Sequence, residues 1–366
     1  MRRVSDLLDR GWLTNDGPYV REFEAMLADL VGVPHCIATA NATIALQMLA
    51  KAFGLHGEVV MPSFTFIATA HAMAWEGLRP VFADIDPISH TLDPDDAARR
   101  ATSDTSAILG VNLWGGSCDV AGLSDLAKRL GVPLIFDSAH ALGCSSLAGR
   151  IGGLGSAEVL SFHATKFVNA FEGGAITTHN SDLAAELRLL RNFGFAGLDR
   201  VVALGTNAKM TEVAAAMGIT SLEAMPAIID HNRANFELYR RLETIPGVRL
   251  WRPDDAGAWN YQYIVAQINR SEFGVPRDSV VDILWAENIL ARRYFFPGCH
   301  RQEPYRSGYP APAPPLTVTE QVAEEVVVLP TGTSVSDREV LTICEVLELI
   351  AAHPQEVVRR LADIAR

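Results

Sequence analysis

The feature that most constrains this chain is an alternation through its first two hundred residues, in which short β-prone runs are each followed by a stretch of helical periodicity. CIATA, EVVMPS, PVFADID, AILGVNLWG and VPLIFDSA read as strands, as do AEVLSFHAT and GGAITTH. Between and around them, residues 19–31, ATIALQMLAKAFG, FIATAHAMAWEG, LSDLAKRLG and LAAELRLLRNF carry apolar positions at helical spacing. VPLIFDSA is almost continuously apolar, as a strand must be when both of its faces are covered. The pattern predicts an α/β fold with a mostly parallel sheet flanked by helices. Such sheets bind ligands beyond the carboxyl ends of their strands. Asn41, Asp137 and Ser161 stand at such ends.

Beyond residue 212 the pattern changes. TEVAAAMGITSLEAMPAIIDHNRANFELYRRLETI reads as a long helical stretch broken near Pro226. Short strands, including YQYIVAQIN, and further helices follow, and SDREVLTICEVLELIAAH is amphipathic. At ~150 residues per domain, 366 residues suit about two domains. We place a large domain with its N-terminal segment at 1–245 and a smaller α+β domain at 246–366. Hydrophobic residues make up 49% and charged residues 20%, an ordinary globular balance. With 31 basic against 43 acidic residues, the net charge of −12 argues against nucleic acid as a partner. We expect no membrane association: no run approaches ~20 uninterrupted apolar residues. MRRVSDLLDRGWL lacks the apolar centre of a signal peptide. The five cysteines are widely spaced without a CxxC pair, so we expect reduced thiols in a cytoplasmic protein and no metal site.

There are four lysines, Lys51, Lys128, Lys166 and Lys209, so a search for an amine nucleophile is short. Lys166 follows a strand, has hydroxyls at Ser161 and Thr165 beside it, and precedes a Gly pair. A lysine is usually a solvated surface charge, but one held in a partly apolar cleft can have its pKa lowered enough to act as a nucleophile. Asp137 ends a buried strand and needs a partner there. That partner is a helix N-terminus, an arginine, or a buried cation such as the protonated ring nitrogen of pyridoxal phosphate. In TANATIALQ a strand gives way to a helix at Asn41-Ala42-Thr43, which offers either a simple N-cap or N–H groups for an anion. Phe66, in SFTFIAT, is by default a core aromatic.

The order of these parts, with Asp137-x-x-His140 and SFHATK at this spacing, resembles the DegT/StrS-type nucleotide-sugar aminotransferases, which are fold-type I pyridoxal-phosphate transferases. The resemblance extends over GWLTNDGPYVREFE, ANATIALQ, PSFTFIATA, FDSAHALG, SFHATKFVNAFEGGAITT, LGTNAKMTEVAAAMG and RRYFFPGCHRQEPY. It implies that Lys166 attaches the cofactor and later moves a proton, and that Asp137 holds the ring nitrogen. Phe66 would stack on the ring and His140 would lie near it, while Ala42, Thr43 and Ser161 would hold the phosphate. Asn207 would reach the phosphate of a neighbouring subunit, which implies a homodimer with shared active sites. Tyr294 and His300 would approach the nucleotide sugar. Two positions depart from the family: Ala42 stands where Gly is usual, and Lys209 where arginine is usual. DSAHALG and FHATKFVNAFEGG resemble members that aminate C4 of a dTDP-4-keto-6-deoxyhexose, with L-glutamate as the usual donor.

A sugar 3-aminotransferase or a keto-cyclitol aminotransferase is the alternative within the family. A non-catalytic cofactor-binding relative would retain the same motifs. A dinucleotide-binding oxidoreductase has only GRIGGLGS in its favour, and that stretch lacks GxGxxG.

Overall fold

The computed structural model describes residues 2–253 and 257–364. The strands of the main sheet are β1 (His35–Thr39), β2 (Glu58–Pro62), β3 (Arg79–Ala83), β4 (Thr105–Val111) and β5 (Leu134–Asp137). After a two-residue hairpin, β6 (Ser145–Ser146) and β7 (Gly149–Arg150), come β8 (Ala157–Ser161) and β9 (Gly174–Thr178). The main-sheet order is β1-β9-β8-β5-β4-β2-β3. Within it β9 alone runs against its neighbours, pairing antiparallel with both β1 and β8. The mostly parallel α/β sheet expected from the alternation is therefore present. Its central strands are buried end to end, and Phe136, Ile135, Val159 and Leu109 are fully enclosed.

The last sheet is antiparallel, in the order β10 (Val248–Leu250), β11 (Ile264–Ile268), β12 (Val326–Leu329). Its first strand begins at Val248. The packing does not stop at the expected division. Phe295, Cys299, Tyr305 and Leu316 join the same buried cluster as Phe64, Phe82 and Trp114. The second unit thereby closes over the carboxyl ends of the main-sheet strands.

The expected break at Pro226 does not occur: Glu212–Tyr239 is one helix of 28 residues that runs through it. Pro226 is exposed, so its ring displaces no core side chain. The helix is held on both sides of the proline, by Pro18–Val31 of the large unit and by Asp337–Ala352 of the small one. Tertiary packing thus outweighs the roughly 3 kcal/mol that an interior proline costs. With its closing turn this helix is long and apolar enough to cross a membrane by composition, but here it is a partly buried core helix.

Candidate active site

A cavity of about 700 Å3 opens at the carboxyl ends of β1, β5 and β8. Of the residues singled out in the sequence, Ala42, Thr43, Phe66, Asp137, His140, Ser161, Lys166 and Tyr294 line it. A larger hollow of about 860 Å3 lies elsewhere, lined by Asp86, Asp93, Asp95 and Asp119 with Trp251. Four carboxylates against the one guanidinium of Arg252 make it unfavourable for an anionic ligand, and no lysine is among its lining residues.

One end of the cavity is built by the turn after β1. Asn41 caps helix Ala42–Ala52, its side chain accepting from the Ile44 N–H at 2.8 Å. The cap leaves the N–H groups of Ala42 and Thr43 at the positive end of the helix dipole. Ala42 does not have a positive φ, so the departure from Gly costs no backbone strain. Gly174, opposite, is required: a Cβ there would lie 2.5 Å from the Asn41 carbonyl carbon. Ser161, at the end of β8, pairs with Gly174 and brings its hydroxyl to the same place.

At the other end, Asp137 is buried and accepts from Thr69 Oγ1 at 2.8 Å and from the Ala139 N–H at 3.2 Å. Thr65 Oγ1 lies 2.9 Å from Thr69 Oγ1 and, since the one hydroxyl proton of Thr69 is directed at Asp137, Thr65 is the donor in that bond. Burial raises the Asp137 pKa, against the pull of these donors and of Lys166. No cationic side chain forms an ion pair with it among the described residues.

Lys166 stands between the two ends. Its pKa is brought down to about 8, chiefly by burial, with Asp137 and Tyr294 pulling it up. Its Nζ lies 3.0 Å from Tyr263 Oη, which in turn lies 3.1 Å from His140 Nε2. Burial and then the Lys166 charge hold His140 far below the ordinary histidine range, so the ring is neutral. His140 Nδ1 is buried without a hydrogen-bond partner among the described residues. Trp114 packs 5.6 Å from the His140 ring and stacks on Phe295, fixing that wall. Phe66 is 58% exposed, unusual for an aromatic inside a fold, and what it faces is the cavity.

Two expected residues stand outside the cavity. His300 is engaged elsewhere, with Nδ1 on Ser63 Oγ at 2.6 Å and Nε2 on Glu320 at 3.2 Å. Asn207 is exposed, bridges Asn192 through its backbone, and its side chain hydrogen-bonds no described residue. Lys209, beside it, lies over the Phe193 ring at 4.7 Å. Sequence reasoning missed Thr69 and Tyr263. Thr69 sits three residues after Phe66, where helical spacing could have exposed it. Tyr263 reads only as the start of a strand, because its partners lie about a hundred residues away in the chain.

These residues suit pyridoxal 5′-phosphate. An unpaired buried carboxylate awaits a cation at one end, a capped helix N-terminus awaits an anion at the other, and an amine and an exposed aromatic ring lie between. Known proteins agree with this reading. The model of the DegT/DnrJ/EryC1/StrS aminotransferase family matches residues 1–348. The dTDP-4-amino-4,6-dideoxy-D-glucose transaminase of Escherichia coli is 33% identical over 92% of this chain and 91% of its own. The dTDP-3-amino-3,6-dideoxy-alpha-D-galactopyranose transaminase of Aneurinibacillus thermoaerophilus is 31% identical over 93% of this chain and 92% of its own. The crystal structure of DesI in the presence of its TDP-sugar product superposes with a TM-score of 0.94 at 50% identity, covering 99% of this chain and 92% of that one.

Proposed function

The chain belongs to the DegT/DnrJ/EryC1/StrS aminotransferase family, and we propose that it transfers an amino group from L-glutamate to C4 of a dTDP-4-keto-6-deoxyhexose, giving a dTDP-4-amino-4,6-dideoxy sugar. It is a sugar aminotransferase whose cofactor is pyridoxal 5′-phosphate. The observation that carries the aminotransfer chemistry is the joint placement of a buried lysine with a lowered pKa and an under-partnered buried aspartate in one cavity. The DesI product and the name of the Escherichia coli relative support the dTDP sugar and the C4 position. The Aneurinibacillus relative keeps the 3-aminotransferase reading open.

When bound, the cofactor supplies a carbonyl that takes up amines and a ring that accepts electrons from the adjacent carbon. Asp137 would hold the protonated ring nitrogen, its charge kept buried and therefore strong. Ala42 and Thr43 N–H groups with the Ser161 hydroxyl would hold the phosphate, and Phe66 would cover a ring face. Lys166, with a pKa of about 8, has a substantial neutral fraction near neutral pH, as an attacking amine and a proton carrier both require. His140, Trp114 and Phe295 keep water from that wall. Tyr294 lines the mouth from the small unit, where the nucleotide sugar would enter.

We further propose a homodimer in which Asn207 reaches the neighbouring subunit's phosphate site. Its free, exposed amide supports this, as does the exposed apolar stretch around it, with Phe193, Phe195, Leu198, Val202 and Leu204. A cytoplasmic location fits five cysteines that are all buried and widely spaced along the chain.

Product analysis tests the regiochemistry. Incubation with L-glutamate and dTDP-4-keto-6-deoxyglucose should place nitrogen on C4 by NMR, and nitrogen on C3 of an isomeric keto sugar would overturn the assignment. Borohydride should fix the cofactor on Lys166, and Lys166→Ala should lose at least about 10^4-fold in activity. Mixing Lys166→Ala with an impaired Asn207 variant should restore activity on subunit exchange. Proven exchange without recovery would mean that Asn207 serves its own subunit.

A further inference from the structure

We infer that Tyr263 is the positioning residue for Lys166: its hydroxyl, braced by His140, holds the lysine amine in register whenever that amine is not bonded to the cofactor. The inference rests on Lys166 being the cofactor's lysine.

A transaminase must release its lysine in each half-reaction and use it to carry a proton to or from one carbon. A lysine side chain is long and flexible, and a released amine wanders unless something holds its end. Among the described residues that end has one hydrogen-bonding side chain, the phenol at 3.0 Å. The phenol is itself fixed. Its ring lies 4.3 Å from the His140 ring and 5.4 Å, edge on, from Trp114. The segment that carries it is tied to the large unit. Asn260 Nδ2 donates to the carbonyls of His140 and Leu142, and Trp259 Nε1 donates to that of Trp114. The lysine therefore finds its partner only where the small unit is seated on the large one.

The proton count gives the direction of the effect. His140 is neutral and Tyr263 keeps its proton, because burial opposes ionisation of both. A phenol that donates to His140 Nε2 leaves its oxygen lone pairs for Lys166, which donates to them in either protonation state. The bond to the ammonium is the stronger, because it is charge-assisted. Tyr263 thus favours the proton-carrying form. The other groups facing Lys166 are Asp137, Tyr294, and His163 and Glu172 across the cavity.

The test is made on the cofactor-free protein. Competitive labelling with acetic anhydride across pH, read by peptide mass spectrometry, gives the titration midpoint of Lys166, with Lys51 and Lys128 as internal references. In Tyr263→Phe that midpoint should fall by about half a unit to one unit, the loss of one charge-assisted bond partly replaced by water, while the references stay put. With cofactor restored, kcat should fall at least about tenfold with the KM for L-glutamate little changed. If Tyr263→Phe does not fold, 3-fluorotyrosine at position 263 keeps the ring and weakens the oxygen as an acceptor, and a smaller shift of the same sign is expected. An unmoved Lys166 midpoint in a folded variant would overturn the inference. Borohydride fixing the cofactor on another lysine would instead overturn the site assignment on which it rests.

Discussion

Asp137 and Glu158 stand on adjacent strands, β5 and β8, both buried, with only the interstrand pairing between them. Their surroundings differ in kind. Glu158 accepts from four donors: the Gly152 N–H at 2.8 Å, the Leu154 N–H at 2.5 Å, Asn112 Nδ2 at 3.4 Å and a short bond from Ser138 Oγ. Asp137 accepts from two. The first carboxylate is complete in the folded chain, and the second is left with capacity for a cation. A buried acid is thus not in itself a sign of chemistry; the number of donors aimed at it separates a structural knot from a reactive centre. The same comparison explains GRIGGLGS. Gly152 has φ +105° and lies against Val31, a fold of the backbone that turns N–H groups toward Glu158. The glycines serve a carboxylate of their own chain, and a dinucleotide has no part in them.

The comparison is most open to breakage in catalysis. Asp137→Asn removes the charge proposed to face the ring nitrogen and should lower kcat by about 10^2- to 10^3-fold, whereas Glu158→Gln should stay within about tenfold of the parent. Equal losses in steady-state assays would erase the distinction. Stability should reverse the ranking. Glu158→Ala strands three strong donors in the interior and should cost about 3–5 kcal/mol in urea unfolding of the cofactor-free protein. Asp137→Asn keeps the Ala139 N–H on its amide oxygen, and the Thr69 hydroxyl can turn to accept from the new amide, so it should cost far less.

A smaller effect is written in pH. Burial pushes Glu158 up to about 7 from 4.5, in spite of its donors. The folded state therefore binds more protons than the unfolded one between those values, and stability falls as pH rises from about 4.5 to 7. Glu158→Gln should flatten unfolding curves across that window by about 2–3 kcal/mol, and an unchanged slope would show that Glu158 is ionised throughout. The smallest change sharpens the other side of the comparison. Thr69→Val takes one of the two donors from Asp137, raising its pKa further. Retention of pyridoxal phosphate should weaken by about 1 kcal/mol, measured as a shift in its Kd.

The alternation of strand and helix determined the parallel α/β sheet, because a strand buried on both faces has to be apolar along its length. The same sequence placed Asn41, Asp137 and Ser161 at strand ends, where parallel sheets open, and eight of the ten site residues it singled out do line one cavity. Those eight sit in short motifs whose local turns and caps fix where the side chains go. The continuity of helix Glu212–Tyr239 through Pro226 was decided by tertiary structure, since contacts from two separate units outweigh one missing N–H. So was the engagement of His300 with Ser63 and Glu320, partners 237 and 20 residues away. Tyr263 is the sharpest case. Its neighbours in sequence make it an ordinary β residue, and only the seating of the small unit brings its hydroxyl within 3.0 Å of Lys166. Periodicity records which face of an element is buried, but a hydrogen bond between distant segments leaves no period in either of them.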